Sequence, residues 1–463
     1  MSPSNPAVRP LRIAVEGCGH GSLDIIYKEA DAACQARGWQ LEDLDFLIIC
    51  GDFQAVRNAR DLNCMSVPKR YRHMGDFHRY YSGESRAPVL TIVIGGNHEA
   101  SNYLSELPYG GWLAPNIYYM GAVGVIRYGP YRILGMSGIY DSKDYRRPHD
   151  ERLPYNRDEI RSIYHVRECD VAKLLQLRHP VDIGLSHDWP RRVEWFGDYE
   201  KLFAERPHFF DSARSDRLGS LPAEQVMGHL KPKHWVSGHM HIGFSATIKH
   251  AQHDSKDMFK ELSIPDKWKQ ALPKAMSRNC LTGVARAHEQ SPQTTDMTTQ
   301  FLALDKPGHG NDFLRLLEIE APPSRRTPPA AHYLERLSDG KYNLFYDEEW
   351  LSILREFPTA TSHDGTILQT MDQLSTDLDT VMSRPATTRW IDASLPVEEL
   401  FIIPRNFRPH APVYSPDDSL EDSTQPPEYP NSQTETFCKT FGIAGVPARS
   451  VMVDDPNEDI VFG

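Results

Sequence analysis

Short apolar runs alternate with polar turns along roughly the first 320 residues of this 463-residue chain. Most runs are rich in β-branched and aromatic residues and end at Gly, Ser or Pro, which is typical of strands. Between them, apolar residues recur at helical spacing over 22–37 and 157–177, which predicts two helices. Strands mixed with helices predict a layered α/β domain over residues 1–320. The predicted strands are LRIAV (11–15), FLIIC (46–50), VLTIVIG (89–95), IYYMGAVGVIRY (117–128), YRILGMS (131–137), VDIGLS (181–186) and HWVSG (234–238).

The rest of the chain follows a different pattern. Residues 251–299 are polar and weakly periodic, which predicts a flexible insertion. After residue 320, APPSRRTPPA predicts a proline-rich linker, and LFYDEEWLSILREF (344–357) predicts a helix. Residues 404–433 are rich in Pro, Ser and Asp, which predicts an extended segment. We therefore separate a C-terminal region, residues 321–463, from the α/β domain.

The net charge of −12 is unevenly distributed. Residues 318–463 contain 11 Lys and Arg against 25 Asp and Glu, a net charge of −14, whereas residues 1–317 carry a net charge of +2. Local patches, and not the charge of the whole chain, decide which partners bind. The acidity of the C-terminal region therefore does not exclude a polyanion as a partner of the α/β domain.

Membrane association and a disulfide framework are both disfavoured by the sequence. No apolar run approaches the roughly 18 residues that a membrane-spanning helix needs, and the N-terminus MSPSNPAVRP lacks the pattern of a secretory signal. The seven cysteines are widely scattered, which indicates a reducing compartment. We expect Cys34, Cys50 and Cys169 to be packing residues, and we take a monomer as the default.

Polar side chains follow five of the predicted strands, at the point where each strand ends in a turn of small residues. This edge is where layered α/β folds build their sites. Each motif has an ordinary alternative, such as a turn or a buried thiol, but five such loops together favour a metal site. Thiol, imidazole, carboxylate and amide groups suit zinc, iron or manganese better than magnesium alone. The candidates are Cys18, His20, Asp52, Asn97, His98, His187, His239 and His241.

Three of these motifs, GD (51–52), GNHE (96–99) and GHMH (238–241), resemble the signature of the calcineurin-like metallophosphoesterase superfamily. That superfamily normally opens with Asp-x-His, whereas this chain has Cys18-x-His20. A cysteine at this position resembles the RNA lariat debranching enzyme family. Other motifs that resemble this family are GDFQAVRN, YRILGMSGIY, RSIYHVR and SHDWP and, later in the chain, FLALDK, YDEEWLSILR and NSQTETFCKTFGI. The resemblance implies a four-layer β-sandwich flanked by helices, with residues 321–463 packed on it as a C-terminal domain.

The resemblance also implies two divalent metal ions with Asp52 as the bridging ligand. His98 would be the general acid, because imidazole titrates near neutral pH; the alternative is that it only orients the site. A thiolate ligand favours Fe²⁺ or Zn²⁺, with Mn²⁺ able to substitute. The implied ligands are Cys18, His20, Asp52 and His241 for one ion, and Asp52, Asn97, His187 and His239 for the other.

The substrate that the resemblance implies is the 2′,5′-phosphodiester at the branch point of excised intron lariat RNA, with a nuclear location and splicing or intron-turnover proteins as partners. Residues 137–167 interleave aromatic and basic side chains and would form the lariat recognition loop. The alternative is a solvated, charged helix. Two other functions stay open, a broad-specificity metallophosphoesterase and a catalytically silent scaffold. The candidate RNA contacts are Tyr140, Tyr145, Arg146, Arg147, Tyr155, Arg161 and Tyr164.

Overall fold

Two mixed β-sheets, of six and seven strands, form the centre of the structure. The computed structural model describes residues 9–250, 297–320, 331–357, 397–420 and 422–443. The strands in these ranges are β1 (Leu11–Glu16), β2 (Phe46–Ile49), β3 (Thr91–Val93), β4 (Gly111–Ala114), β5 (Ile117–Tyr119), β6 (Val123–Tyr128), β7 (Tyr131–Met136), β8 (Ile183–Ser186), β9 (His234–Ser237), β10 (Phe244–His250), β11 (Met297–Ala303), β12 (Leu314–Ile319) and β13 (Leu344–Tyr346).

The strand order is β12-β1-β2-β3-β5-β4 in the six-stranded sheet and β10-β11-β9-β8-β7-β6-β13 in the seven-stranded sheet. Strands β1, β2, β3 and β5 pair in parallel, and so do β7, β8, β9 and β11. In a parallel pair the carboxyl ends meet at one edge of the sheet. The loops that carry the predicted site therefore leave each sheet at a common edge.

Helices cover the outer faces of both sheets. The α-helices of the described ranges are α1 (Leu23–Ala36), α2 (Phe77–Ser82), α3 (Ser101–Ser105), α4 (Glu159–Ser162), α5 (Glu168–Leu174), α6 (Tyr199–Glu205), α7 (Pro207–Arg214), α8 (Leu221–Leu230), α9 (Glu348–Glu356), α10 (Val397–Leu400) and α11 (Ser432–Phe441). No helix in the described ranges is long and apolar enough to cross a membrane.

Strand β1 shows how the layers are held together. Its sequence is buried on both faces, so it does not alternate between apolar and polar residues. Ile13 and Val15 pack into the apolar layer between the two sheets, whereas Ala14 packs on the opposite face with residues of α1 such as Ile26. A third apolar cluster covers the other face of the seven-stranded sheet and includes Trp235. The four-layer α/β fold expected from the sequence is confirmed.

Two of the predicted helices are confirmed, and one is wrong. Segments 22–37 and 344–357 contain α1 and α9. Segment 157–177 does not form one helix but two short ones, α4 and α5. The chain between them pairs with Ile139, whose N–H donates to the carbonyl of Tyr164 (3.2 Å) and whose carbonyl accepts the N–H of Val166 (2.9 Å). This bridge uses backbone groups that a continuous helix would need.

The C-terminal region packs on the two-sheet domain at several points. Strand β13 pairs with β6, and Arg132 of β7 donates to both carboxylate oxygens of Asp347 (2.8 and 2.7 Å) in a buried contact. Residues 401–420 and 422–431 contain no helix, whereas residues 432–433, at the end of the predicted segment 404–433, begin α11. Residues 297–299, at the end of the predicted insertion, already belong to β11, and residues 251–296 lie outside the described ranges. The division at residue 320 stays a prediction.

Candidate metal centre

All eight candidate residues lie on loops at the carboxyl ends of parallel strands, in both sheets. Cys18 and His20 follow β1, Asp52 follows β2, and Asn97 and His98 come shortly after β3. From the facing sheet, His187 follows β8 directly, and the pair His239 and His241 follows β9. The backbone N–H of Gly238 donates to the carbonyl of His187 (3.1 Å), which joins the last two loops. The two sheets thus bring five distant segments to one place.

Four of these side chains form a compact first group, namely Cys18, His20, Asp52 and His241. One potential ligand atom from each lies within 4.8 Å of all the others. Nε2 of His20 is 3.0 Å from Nε2 of His241 and 3.5 Å from Oδ2 of Asp52. The group has the composition that the sequence predicts for the first metal ion.

A second group forms around His187, which contacts the other oxygen of the same carboxylate. Nε2 of His187 lies 3.3 Å from Oδ1 of Asp52 and 3.2 Å from Oδ1 of Asn97. The His239 ring centroid is 5.0 Å from that of His187. Asp52 therefore faces both groups, one with each oxygen, as a bridging carboxylate would.

The protonation states in the centre favour cation binding. Burial by itself raises the pKa of Asp52, but the imidazoles of His187, His20 and His98 outweigh it and hold that pKa well below its usual range. Oδ2 of Asp52 is buried and accepts no hydrogen bond from any described residue. A buried charged oxygen without a donor is costly unless a cation faces it.

The ring nitrogen of His187 that faces the Asp52 carboxylate is unprotonated. Burial lowers the pKa of His187 to about 4, so its ring is neutral near pH 7. Nδ1 lies 2.7 Å from the carbonyl oxygen of Cys50, which can only accept, so Nδ1 carries the proton. Nε2 is then an unprotonated ligand atom, and this backbone contact fixes the orientation of the ring.

The Cys18 thiol is fully buried, and its sulfur accepts the N–H of His239 (2.9 Å). Burial, reinforced by the charges of Asp52 and Glu16, raises the pKa of this thiol well above its ordinary value. A thiolate here therefore depends on a cation that offsets the cost of burial, and a bound metal ion deprotonates a coordinating thiol. The residues present fit a divalent metal.

Several ligand residues adopt backbone conformations that are locally unfavourable. His20, Asp52, His239 and His241 all have left-handed backbones, with φ between 44° and 65°. Such conformations cost about 1–3 kcal/mol each in non-glycine residues and persist where the surroundings impose them. They turn consecutive side chains of a loop towards one point.

Two glycines make the close approach of the loops feasible. A Cβ atom at Gly51 would lie 2.2 Å from Nδ1 of His187, and a Cβ atom at Gly96 would lie 2.2 Å from Oδ1 of Asp52. Real Cβ atoms do not approach other atoms this closely. The glycines of the GD and GNHE motifs therefore leave room for the candidate ligands themselves.

His98 lies on the open side of the centre. Its backbone N–H donates to Oδ1 of Asp52 (2.8 Å), and its ring Nδ1 is 3.4 Å from Oδ2 of the same residue. The side chain is 30% exposed, whereas those of Asp52 and His187 are almost completely buried. Its imidazole can therefore be reached by a molecule that enters from solvent.

Glu99 is a site residue that the sequence reasoning missed. Its buried carboxylate accepts the backbone N–H groups of Phe53 (2.8 Å), Gln54 (2.7 Å) and Gly96 (2.8 Å), which joins the loops after β2 and β3. Burial and the charge of Asp52 raise the pKa of Glu99 to about 7. The three N–H donors stabilise the ionised carboxylate and oppose this rise. The signal available in the sequence was its place as the last residue of GNHE.

Most tyrosines of the predicted recognition loop are partly exposed. Tyr140 and Tyr145 are half-buried and stack edge to face, with centroids 5.5 Å apart. The half-buried Tyr164 places its hydroxyl 3.1 Å from Oγ of Ser66. Tyr155 departs from the prediction, because its ring is only 6% exposed and cannot stack on a base in this conformation.

The arginines of this loop face solvent to different degrees. Arg146 and Arg161 are exposed, and the nearest carboxylate to Arg146 is that of Glu168 at 3.9 Å. Arg147 is held within the loop, with ion pairs to Asp144 (3.1 Å) and Asp150 (3.5 Å). Arg146 and Arg161 are therefore better placed than Arg147 to meet a phosphate.

Comparisons with known proteins agree with this geometry. Residues 11–243 match the family model described as "Calcineurin-like phosphoesterase", and residues 296–445 match that described as "Lariat debranching enzyme, C-terminal domain". The fold and the site thus define a calcineurin-like phosphoesterase, a class whose fold implies divalent metal ions.

Individual relatives indicate which family within this class the chain resembles. The chain is 42% identical over 442 residues to "Lariat debranching enzyme" of Homo sapiens, which covers 95% of this chain and 70% of the relative. It is 38% identical to the proteins of the same name from Arabidopsis thaliana (94% and 86% covered) and Schizosaccharomyces pombe (97% and 100% covered). The chain belongs to the lariat debranching enzyme family.

Proposed function

We propose that this chain is a metal-dependent phosphodiesterase that hydrolyses the 2′,5′-phosphodiester at the branch point of excised intron lariat RNA. The observation that carries this proposal is the convergence of seven candidate ligands from both sheets, with Asp52 facing both groups and a buried thiol among them. The names of the relatives supply the substrate, and the matches to both family models support the reaction class.

Two divalent ions are proposed at this centre. Cys18, His20, Asp52 and His241 would hold one ion, and Asp52, Asn97, His187 and His239 the other. When bound, the ions would neutralise the phosphodiester charge and lower the pKa of a nucleophilic water. Because one ligand is a thiolate, we propose Fe²⁺ and Zn²⁺ as the natural pair, with Mn²⁺ able to substitute.

The protein's own groups position the reaction and move its proton. Asp52 and His187 stay fixed because backbone contacts hold both of them, to the N–H of His98 and the carbonyl of Cys50 respectively. Water attacks phosphorus in line, the bond between phosphorus and the 2′-oxygen breaks, and His98 donates the proton that the departing oxygen needs. The products are a 2′-hydroxyl on the branch nucleotide and a 5′-phosphate on the intron end.

Residues 137–167 are proposed to recognise the branched RNA. Tyr140 and Tyr164 are partly exposed, and Arg146 and Arg161 are exposed, so bases could stack on the rings while the guanidinium groups meet phosphates. We further propose a nuclear location, contact with splicing or intron-turnover proteins, and a monomeric state.

The test is a comparison of a branched RNA that contains one 2′,5′ bond with a linear 3′,5′ RNA of the same composition. We expect the metal-loaded protein to release the branch and to leave the linear RNA intact. Equal rates on the two RNAs would indicate a broad-specificity phosphodiesterase, and no cleavage of either RNA would indicate a silent scaffold. Both outcomes would contradict the proposal.

A further inference from the structure

A cavity of about 740 Å³ opens beside the candidate metal centre. Its lining includes His239 and His241 and continues to Arg206, to residues of α7 and to the loop 305–311. Its volume lies within the range of roughly 300–1,000 Å³ that ligand sites occupy. Of the proposed recognition segment 137–167, only Ile139 and Tyr140 line it. The cavity therefore extends to a part of the surface that the recognition loop does not form.

The polar lining of this cavity is mostly basic. The carboxylates in the lining are those of Asp188, which is buried, and Asp305. A basic concave surface concentrates anions locally. The basic lining residues are Arg191, Arg206, His208, Arg217 and Lys306.

Two of the guanidinium groups are fixed close to the centre. Nη2 of Arg206 donates to the carbonyl oxygen of His241 (3.3 Å). Arg191 donates to the carbonyl oxygen of Gly219 (3.1 Å) and lies 5.4 Å from the Tyr140 ring centroid. Backbone and ring contacts thus hold both groups, and each also lies near a lining carboxylate, Asp305 for Arg206 and Asp188 for Arg191.

Arg217 and Lys306 complete the basic lining. Both are exposed, and Nε of Arg217 donates to Oγ of Ser215 (2.9 Å). Arg214, three residues earlier, is different, because its Nε donates to Oδ1 of Asp211 (2.8 Å) and it does not line the cavity. Arg191, Arg206, Arg217 and Lys306 thus give the cavity four cationic side chains between the metal ligands and the protein surface.

Aromatic rings stand among these cations. Tyr140 and Phe209 are half-buried in the cavity wall, and His208 lies against Phe209 with centroids 4.5 Å apart. Aromatic faces interleaved with phosphate-binding cations form the usual surface for a single-stranded nucleic acid. A small anion would need only one or two of these cations and none of the rings.

We propose that this cavity binds a single-stranded arm of the RNA that leads away from the scissile phosphate, as a second RNA-binding surface beside the recognition loop. The inference rests on the proposed function. A branch nucleotide joins three RNA chains, so one recognition loop leaves further chains to be accommodated. The four cationic side chains would meet successive phosphates of this arm.

The experiment uses two branched RNAs with the same branch nucleotide, one with a single nucleotide on each arm and one with extended arms. The parent protein is compared with Arg217→Ala, Lys306→Ala and the double variant, and Arg214→Ala is the matched control. In the parent, longer arms should lower KM. In the double variant, KM for the extended RNA should rise about ten-fold with kcat retained, and the slope of log KM against log salt should fall by about two.

Three results would overturn the proposal: arm length without effect on KM in the parent, no rise in KM in the double variant, or an equal rise in Arg214→Ala. A loss of kcat without a change in KM would also contradict it, since it would place the two residues in the chemical step. Failure of the proposed function is a separate result, because the parent would then cleave neither branched RNA.

Discussion

Cys18 is the residue at which this chain departs from its superfamily, and the structure places its sulfur within 4.8 Å of ligand atoms of His20, Asp52 and His241. The residue types of the candidate centre could be predicted from the sequence, because each follows an apolar strand. Their left-handed backbones could not, because positive φ is uncommon even for Asp and His, which adopt it more often than most residues, and the surroundings impose it here. Glu99 was missed because its role consists entirely of contacts with backbone N–H groups.

Cys18→Asp restores the ligand type that is usual in the superfamily. A carboxylate is a harder ligand than a thiolate, so we expect the metal preference to move towards Mn²⁺ or Mg²⁺. Activity of metal-free protein, titrated with each ion in turn, measures the shift. Cys18→Ser is the comparison and should only weaken binding at the first site. Identical activation profiles for Cys18→Asp and the parent would show that the thiol does not set metal choice.

His98→Ala should keep the metal and lose turnover by a factor on the order of 100. The reason is that His98 contacts Asp52 through its backbone N–H, which alanine retains, while its partly exposed ring is the proposed proton donor. Metal content and single-turnover cleavage of branched RNA are measured on the same sample. Loss of metal together with activity would instead indicate that the ring orients the site.

At the scale of elements, the site depends on how closely the loops after β2 and β3 approach each other. The sequence predicts both strands and contains a glycine in each loop that follows them. It does not show which atoms occupy the space that a side chain at those positions would fill. The single helix predicted over 157–177 was wrong because the bridge to Ile139 interrupts it, and such a long-range pairing has no local signature. Tyr155 was misjudged for a related reason, since its ring is buried against distant parts of the chain.

Gly96→Ala should abolish metal binding at the proposed centre, because the added Cβ would lie 2.2 Å from Oδ1 of Asp52. Gly228→Ala is the matched control: it lies in α8 and its Cβ would meet no atom within 4 Å, so the substitution should stabilise the helix by about 0.5–1 kcal/mol. Metal content and thermal unfolding are measured for both variants. Full metal occupancy in Gly96→Ala would contradict the packing described for this loop.

At the scale of the molecule, two glutamines of the C-terminal region bind the catalytic layers through the same kind of backbone contact. Gln425 accepts the backbone N–H of Tyr155 (2.7 Å) and donates to its carbonyl (2.8 Å). Gln433 accepts the backbone N–H of Trp112 (2.8 Å) and donates to its carbonyl (2.9 Å). Tyr155 belongs to the proposed recognition loop, whereas Trp112 lies on β4. The C-terminal region therefore holds the loop directly, a relation that the acidic composition of this region does not reveal.

Gln425→Ala should loosen the recognition loop, and Gln433→Ala should not, because only the first removes the contact with Tyr155. Hydrogen exchange of backbone amides 149–160 measures the effect without reference to activity. We expect faster exchange in this segment for Gln425→Ala alone, accompanied by a higher KM for branched RNA. Equal exchange in the two variants would show that the loop is held by its own contacts.

The central claim is that side chains from both sheets converge on Asp52 to hold a pair of divalent ions, with sulfur as one ligand. Anomalous diffraction from metal-loaded crystals, recorded at the absorption edge of each ion, tests this claim most directly. The account predicts two peaks on either side of the Asp52 carboxylate, one of them within bonding distance of the Cys18 sulfur. A single peak remote from Cys18, or ions bound elsewhere in the molecule, would contradict it.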